Sequence, residues 1–400
     1  MVLLTPVVLS LLAGCAPSRD GFLFPLRAAT NDASRVDMLV ATTRKPTEDP
    51  GRLFSGDRGD AISIDRLVVS IPPDRNRKIG EVQWPSQIPP RPENEFALLE
   101  SGKIASEQQA LQWFRRNRNA KKQAIIFVHG FNTTYAEAVF LFAQVVHDSG
   151  TDAAPILFTW PSRGSVFDYH YDKESSIYSR RALEDLILQA ARSPDVSDIT
   201  ILAHSMGGWL TAEALRGVAM RDKTIPDKVR NVILASPDID VDVFRRQVAE
   251  MGARRPHFTI FTSTEDKALG ISRLIAGDVE RVGGVDLRPY AADLERLGTT
   301  VIDTSATDSH DPLGHSAFAD SPEMIRLLGR RIAGQSLQGG RVSLADRVGL
   351  GAIGTVDLAR AATQAAVTAR LSTVIRDAQA EARQEQKSTV PKIVNGQVSY

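Results

Sequence analysis

The sequence predicts an α/β fold, with a mostly parallel central sheet, antiparallel leading strands and helices on both faces. From residue 104 onward, short apolar runs alternate with segments of helical period, which is the pattern of a parallel sheet covered by helices. The run 125–128 is apolar at every position, as expected for a strand buried on both faces. The earlier runs 36–44 and 62–71 have no helical segment between them, so we expect them to be antiparallel strands.

The remaining elements follow from apolar period and from cap residues. A capping box, Thr134 with Glu137, predicts the start of the helix at 136–146. Residues 72–102 contain many prolines and few periodic apolar residues, and we predict a loop there. The other predicted strands cover 155–160, 199–203, 229–235, 258–262 and 299–302, and the other predicted helices include 177–191, 206–220 and 322–332.

Composition narrows the class of protein. Hydrophobic residues make up 42% and charged residues 24% of the chain, which is typical of a soluble globular protein. Lys plus Arg equals Asp plus Glu, 48 each, and this balance argues against a nucleic-acid partner, which requires a basic surplus. The single cysteine excludes an internal disulfide and a Cys-based metal site, and the sequence calls for no metal or organic cofactor.

The N-terminus carries an apolar run, 2–13, that is short for a membrane span and typical of a signal peptide. It ends in Leu12-Ala13-Gly14-Cys15, which resembles the lipobox of bacterial lipoproteins. The resemblance implies that 1–14 is removed and that Cys15 carries a lipid anchor, followed by a tether at 15–34. It also implies an envelope protein facing the periplasm, and Ala16 after the cysteine favours the outer membrane.

A candidate nucleophile lies between a predicted strand and a predicted helix, in Ala203-His204-Ser205-Met206-Gly207. A nucleophile elbow is written G-x-S-x-G, because the tight turn accepts only small residues two positions before and after the serine. Here Ala203 replaces the first glycine and meets the same steric demand. The context predicts that Ser205 is a nucleophile held at a helix N-terminus.

A second motif, His129-Gly130-Phe131-Asn132, follows the buried run 125–128. It resembles the His-Gly element of α/β-hydrolases, in which the next backbone amide forms half of the oxyanion hole. The resemblance implies that the amides of Phe131 and Met206 are the oxyanion donors. We expect His129 to be structural rather than catalytic.

The general base and the acid should follow the serine, since α/β-hydrolases use the chain order Ser, acid, His. His310 and His315 both lie in the loop after the last predicted strand, and His315, just before the closing helix, is favoured. Asp238 and Asp266 each follow a late strand, and Asp266 is favoured because the family uses the later strand. Asp238 is the alternative acid, or a cap for the helix that begins near Val241.

Together these segments resemble the bacterial esterase/lipase-like α/β-hydrolases of unknown function, over about residues 35–335. The residues that carry the resemblance are 128–132, 159–162, 203–208, 235–240, 266–269 and 314–315. The resemblance implies the α/β-hydrolase fold and a hydrolase triad, and it implies that Trp160-Pro161-Ser162 lines the rim of the pocket. The tail, 336–400, is Ala-rich and polar from 356 to 383, where we expect a helix.

The predicted activity is hydrolysis of a small-molecule or lipid ester, or of a related acyl bond, through an acyl-Ser205 intermediate. Two alternatives remain open from sequence. The same triad could transfer the acyl group to another acceptor, or the chain could be a non-catalytic envelope interaction protein on a hydrolase scaffold.

Overall fold

A computed structural model describes residues 21–26, 32–334, 392–394 and 397–399. The predicted signal segment 1–14, Cys15 and the predicted tail helix at 356–383 lie outside these residues and stay predictions. Among the described residues, no helix has both the length and the apolar character required to cross a bilayer.

The strands of the main sheet follow the order β3-β2-β1-β5-β4-β6-β7-β8-β9. Their bounds are β1 (Ser34–Pro46), β2 (Phe54–Ile71), β3 (Ala97–Lys103), β4 (Gln123–Val128), β5 (Ala154–Thr159), β6 (Asp198–His204), β7 (Val229–Ala235), β8 (His257–Thr262) and β9 (Thr299–Asp303). β1 pairs antiparallel with β2, and β2 with β3, whereas all other neighbouring pairs are parallel. Two short strands, β10 (Lys392–Val394) and β11 (Gln397–Ser399), pair antiparallel with each other.

Helices cover both faces of this sheet. Their bounds are α1 (Glu107–Asn117), α2 (Tyr135–Asp148), α3 (Tyr169–Arg192), α4 (Met206–Asp222), α5 (Val241–Glu250), α6 (Lys267–Ile275), α7 (Ala291–Arg296), α8 (Ala317–Asp320) and α9 (Pro322–Ile332). β4 is buried throughout, and its side chains alternate between two cores, as the period of a strand requires. Ile126 and Val128 join the core that includes α1, α3 and α4, whereas Ile125 and Phe127 join the core that includes α2 and α9.

The predicted fold class is confirmed: this is an α/β-hydrolase fold with antiparallel leading strands. The capping box is also confirmed, since the hydroxyl of Thr134 accepts from the amide of Glu137 at 3.3 Å and the Glu137 carboxylate accepts from the Thr134 amide at 2.9 Å. The prediction of a loop throughout 72–102 was wrong at its end, because β3 begins at Ala97. Only the first residues of β3 are buried, so this edge strand has too little apolar alternation to be recognised from sequence.

Two other elements begin earlier than predicted. α3 starts at Tyr169 rather than 177. Its first two turns were not recognised from sequence because they bury polar side chains such as Asp172 instead of an apolar stripe. β2 starts at Phe54 rather than 62, although its first half contains glycines. Hydrogen bonds from the hydroxyls of Tyr171 and Tyr178 to main-chain carbonyls of this half hold it against α3.

The parallel strands bring the predicted site residues to one edge of the sheet. Ser205 follows β6, Phe131 follows β4, Asp266 follows β8 and His315 follows β9. Because these strands run in the same direction, all four residues leave the sheet at its carboxyl edge, which is where open α/β sheets bind their ligands.

Candidate active site

Ser205 occupies a sharp turn between β6 and α4, in a backbone conformation that is rare for a residue with a side chain. Its φ is +52° and its ψ is −122°. Three main-chain hydrogen bonds hold this conformation. The Ser205 amide donates to the carbonyl of Ala235 at 2.9 Å, and the Ser205 carbonyl accepts from the amides of Gly208 at 2.9 Å and Asp238 at 3.2 Å. The surrounding chain therefore imposes the turn that a nucleophile elbow needs.

Gly207 is required by close packing rather than by its own backbone angles. A Cβ at this position would lie 2.3 Å from the carbonyl oxygen of His129 and 2.5 Å from that of Val128. These distances are far shorter than any van der Waals contact, so the start of α4 lies directly against the main chain that leaves β4. The small residue expected two positions after the nucleophile is thus explained sterically.

The predicted oxyanion donors lie where these two segments meet. A Cβ at Gly130 would lie 3.0 Å from the Cβ of Ser205, so the loop after β4 passes beside the nucleophile. The amide of Met206 is in the first turn of α4, where helix N–H groups have no partner within the helix. In the described part of the chain, neither this amide nor that of Phe131 donates a hydrogen bond. Two backbone donors next to Ser205 are therefore free to bind an anionic oxygen.

His315 and Asp266 form a hydrogen-bonded pair. The Nδ1 atom of His315 lies 2.7 Å from Oδ2 of Asp266, and the aspartate side chain is fully buried while 15% of the histidine side chain is exposed. The other oxygen of Asp266, Oδ1, accepts from the amide of Leu269 at 3.0 Å and so caps α6. With Nδ1–H donating to Asp266, Nε2 of His315 carries the lone pair that a general base needs.

Asp311 builds the loop that carries His315. Its carboxylate accepts from the amide of Leu313 at 3.0 Å, from that of His315 at 2.8 Å and from that of Ser316 at 3.1 Å. From the other side, Nε2 of His204 lies 3.1 Å from the carbonyl oxygen of His315. The backbone of His315 is thus held by Asp311 on one side and by His204, the residue before the nucleophile, on the other.

Ser205 and His315 lie on the same edge of the sheet but are not hydrogen-bonded. The ring of His204 packs against the ring of His315 with centroids 4.7 Å apart. Among the described residues, the Ser205 hydroxyl donates no hydrogen bond, although the residue is only 4% exposed. Hydrogen bonds between catalytic groups are often long in the absence of substrate and tighten when substrate binds.

The alternative base and acid have other surroundings. The side chain of His310 is 61% exposed, and its Nε2 lies 3.8 Å from the carboxylate of Glu81. Asp238 belongs to a buried polar cluster in which it accepts from the hydroxyls of Tyr169 at 3.0 Å and Ser272 at 2.6 Å. Its Oδ1 also lies 3.2 Å from Nε of Arg281, and both side chains are 4% exposed. Neither alternative contacts the candidate triad partner that it would need.

The cap of α5 is a different aspartate from the one considered in the sequence. Asp240 accepts from the amide of Val243 at 2.9 Å, so Asp238 does not cap this helix. The prediction of a possible capping role for Asp238 was therefore wrong by two residues.

His129 is fully buried beneath the loop after β4. Its Nδ1 lies 2.8 Å from the carbonyl of Gly130, and its Nε2 accepts from the amide of Trp160 at 3.1 Å. Burial, together with the nearby guanidinium of Arg44, lowers the pKa of His129 to about 3. The imidazole is therefore neutral at ordinary pH and serves as a fixed hydrogen-bonding group in the structure.

The expectation that Trp160-Pro161-Ser162 lines the pocket rim was wrong for Trp160 and Ser162, because both side chains are buried. Trp160 and Ser162 are 0% exposed. The indole of Trp160 stacks on the ring of His129, with centroids 4.8 Å apart, and donates to the His129 carbonyl at 3.0 Å. This segment supports the loop after β4 from below, because its hydrogen bonds point inward.

Two further polar residues near the site were not found from sequence. Arg44, at the end of β1, is 0% exposed, and Asp172, in the first turn of α3, is also 0% exposed. Both form hydrogen bonds with the loop after β4. A charged residue at a strand end or helix start is usually solvated, so neither position gives a sequence signal that points to the site.

The described residues offer no clustered set of metal ligands. In this part of the chain, no group of three or more His, Cys, Asp or Glu side chains is arranged to hold a metal ion. The carboxylates of Asp266 and Asp311 at the carboxyl edge are instead engaged with His315 and with main-chain amides.

Two esterases are among the solved structures that are similar to this chain. Carboxyl esterase 2 from Tuber melanosporum is 13% identical, with a TM-score of 0.37, over 81% of this chain and 94% of its own. The esterase from Pyrobaculum calidifontis is 11% identical, with a TM-score of 0.34, over 75% of this chain and 85% of its own. At these scores, neither esterase indicates what this chain acts on.

A curated relative and a family model match at the level of sequence. The uncharacterized protein alr1448 of Nostoc sp. is 27% identical over 143 residues, which cover 28% of this chain and 37% of the relative. This chain therefore spans little more than one third of that relative's length. The family described as alpha/beta hydrolase of unknown function (DUF900) matches residues 105–331. Since this match covers more than half of the chain and contains strands β4 to β9, the chain belongs to the DUF900 family of alpha/beta hydrolases.

Proposed function

We propose that this protein is a serine hydrolase that cleaves an ester or a related acyl bond through an acyl-Ser205 intermediate. The observation that carries the proposal is the position of the hydrogen-bonded pair His315–Asp266 on the same sheet edge as the Ser205 turn. Membership of a hydrolase family supports it. The two free amides beside Ser205 are suited to the charge that develops on a carbonyl oxygen during acyl transfer.

In the proposed first step, the Ser205 oxygen attacks the substrate carbonyl carbon while its proton passes to Nε2 of His315. The carbonyl π electrons move to oxygen, and the amides of Phe131 and Met206 donate to the resulting oxyanion. Asp266 accepts from Nδ1–H and stabilises the imidazolium. The tetrahedral intermediate then collapses, the bond to the leaving-group oxygen breaks, and His315 returns the proton to that oxygen.

In the proposed second step, water replaces the leaving group. His315 takes a proton from the water, whose oxygen attacks the acyl carbon, and the same two amides bind the second oxyanion. The bond to Ser205 breaks and the proton returns to its oxygen, so the enzyme is regenerated. If an alcohol or amine takes the place of water, the same residues perform acyl transfer.

A fluorophosphonate probe tests the nucleophile directly. The wild-type protein should be labelled with a stoichiometry near one, and mass spectrometry should place the adduct on Ser205. Ser205→Ala should remain unlabelled and should lose esterase activity. Labelling of both proteins to the same extent would remove Ser205 from the proposal, and no labelling of a folded wild-type protein would favour a non-catalytic role.

The substrate is addressed by a second measurement. We expect the purified protein to hydrolyse p-nitrophenyl esters, and a series of graded acyl chain length will show the size of group that the site accepts. Adding an alcohol or an amine to the same reaction separates hydrolysis from transfer, because transfer yields a new ester or amide in place of the free acid.

A further inference from the structure

We infer that Arg44 is a positioning residue for the oxyanion hole, acting with Asp172 on the loop that carries the Phe131 amide. This loop, residues 129–134, is called the oxyanion loop below. The inference rests on the proposed function, since it assigns Arg44 a part in placing one of the two proposed donors. It concerns a residue that touches neither the substrate nor the reacting atoms.

The Arg44 guanidinium is buried and bonds with several groups around the oxyanion loop. Its Nη2 donates to the carbonyl of Thr133 at 2.7 Å and lies 3.4 Å from Nε2 of His129. Its Nη1 donates to the carbonyl of Ser162 at 2.7 Å, and its Nε donates to the hydroxyl of Thr159 at 2.9 Å. One planar group therefore joins the oxyanion loop to the segment that follows β5.

Asp172 binds the same loop from the first turn of α3. Its carboxylate accepts from the amide of Asn132 at 3.2 Å and from the hydroxyl of Ser162 at 2.5 Å. That hydroxyl in turn accepts from the amide of Thr133 at 2.9 Å. The Thr133 carbonyl is thus bonded to a buried cation and the Asn132 amide to a buried carboxylate. The Thr133 amide reaches the same carboxylate only through the Ser162 hydroxyl.

The position of Phe131 among these contacts is the basis of the inference. His129, Asn132 and Thr133 are each hydrogen-bonded to a fixed group, whereas the Phe131 amide between them has no acceptor among the described residues. A donor that is held on both sides and left unpaired is preorganised for a charge that appears only during the reaction. The restraint comes from groups that are themselves buried and so change little when substrate binds.

The energetics favour a role for the hydrogen-bonding fork of Arg44. Burying a guanidinium is costly unless its donors are satisfied, and an apolar side chain would fill the end of a strand at lower cost. Lysine would not substitute, because its single nitrogen cannot reach four acceptors spread over a planar fork. Retaining an arginine at 0% exposure is therefore explained by the loop that its donors organise.

Four variants test the inference. Arg44→Met removes the donors at similar length, and Arg44→Lys keeps the charge without the fork. Ser162→Ala removes one hydroxyl between Asp172 and Thr133 and is a smaller disturbance of the fold. The matched control is Arg66→Met, since Arg66 pairs with Asp37 at the opposite end of β1, at 2.8 Å.

Three assays are run on each folded variant. They measure kcat and KM with a p-nitrophenyl ester, the Ki of an alkyl trifluoromethyl ketone, and the rate and final extent of fluorophosphonate labelling. The trifluoromethyl ketone forms a tetrahedral adduct with an oxyanion, so its affinity reports the oxyanion donors, whereas KM includes binding of the neutral ester. Circular dichroism melting curves show which variants are folded at the assay temperature.

We expect kcat to fall by about tenfold or more in Arg44→Met and Arg44→Lys, since loss of a whole oxyanion donor costs about 100-fold or more. Ser162→Ala should lose about fivefold, the equivalent of one hydrogen bond. In all three, KM should change little, Ki should rise by the factor by which kcat/KM falls, and labelling should be slower but complete. Arg66→Met should keep both kcat and Ki even if its melting temperature falls.

The outcomes separate this inference from the proposed function. If the wild-type protein is not labelled, the proposed function fails. If it is labelled, but the folded Arg44 variants and Ser162→Ala retain wild-type kcat and Ki, the inference about Arg44 fails while the proposed function stands. If neither Arg44 variant folds, Ser162→Ala decides alone, and wild-type values in that variant overturn the inference.

Discussion

Replacing Asp266 with asparagine separates two roles of one carboxylate. In the structure, Oδ1 caps α6 through the Leu269 amide and Oδ2 accepts from His315. Asparagine keeps a carbonyl oxygen for the cap but presents an NH2 group to Nδ1 of His315. Because that NH2 can only donate, Nδ1 must become the acceptor, and the imidazole proton moves to Nε2.

The expected loss of activity follows from this change of tautomer. With its proton on Nε2, His315 has no lone pair to receive the proton of Ser205. A substitution of this kind lowers kcat by about 10⁴-fold, which corresponds to about 5 kcal/mol in the activation barrier. The free energy of unfolding should fall by less than about 1 kcal/mol, because the helix cap is retained.

Two further variants complete the comparison: Asp266→Ala, and Asp240→Ala in the cap of α5. Asp266→Ala should lose activity and should also lose about 1 kcal/mol of stability with the cap. Asp240→Ala removes an equivalent cap, the 2.9 Å bond from the Val243 amide, but no partner of a histidine. It should therefore lose about 1 kcal/mol of stability and keep kcat.

Ester hydrolysis under saturating substrate and urea unfolding measure the two effects on the same preparations. Asp238→Asn serves as the test of the alternative acid. If folded Asp266→Asn retains more than about one tenth of wild-type kcat, or if Asp238→Asn is the variant that loses about 10⁴-fold, the assignment of Asp266 is refuted.

Three further predictions concern other parts of the chain. Because the pKa of His129 is about 3 in the folded state but near 6.5 when unfolded, the unfolded chain binds one more proton between these values, so stability falls as pH decreases below about 6.5. Between pH 6 and 4, the free energy of unfolding measured with urea should depend less steeply on pH in His129→Gln than in the wild-type protein, by about 1.4 kcal/mol per pH unit. Parallel pH profiles of the two proteins would contradict this. Gly207→Ala would place a Cβ 2.3 Å from a carbonyl oxygen and should reduce kcat by about tenfold or more. Gly270→Ala, which has open space around it in α6, should instead raise the melting temperature. Equal behaviour of the two variants would refute the steric argument. Cys15→Ser should move the protein from the detergent phase to the aqueous phase in Triton X-114 partition, and an unchanged distribution would exclude a lipid anchor at Cys15.

The parts of this molecule that were predicted from sequence are those with a local physical signature. Continuous apolar runs indicated the parallel strands, and the strand-to-helix context of Ser205 indicated the turn whose φ is +52°. The order of residues along the chain was enough to favour Asp266 and His315, which the structure places 2.7 Å apart. Those features depend on neighbouring residues or on the order of residues, and both are properties of the linear sequence.

What could not be predicted depends on contacts between distant segments. Arg44 and Asp172 are separated by 128 positions. Each is of a residue type that usually lies at the surface, and both are buried only because the folded chain packs them around the oxyanion loop. The family resemblance alone implied that Trp160 lies at a rim, but the flat ring of His129 offers a buried surface for stacking. Which face a side chain takes at the end of a strand is a property of the packed molecule.

The register of β4 against β6 has a consequence for how this site tolerates change. Val128 is paired with Ala203, and the two candidate oxyanion donors, Phe131 and Met206, each follow their paired residue by three positions. The ladder between neighbouring strands, with its separation of about 4.8 Å, therefore sets the starting distance between the two amides before either loop contributes. Exchange of side chains in these loops, other than at the closely packed Gly130 and Gly207, leaves that spacing intact. Insertion of a single residue on either side would instead remove one donor from the pair.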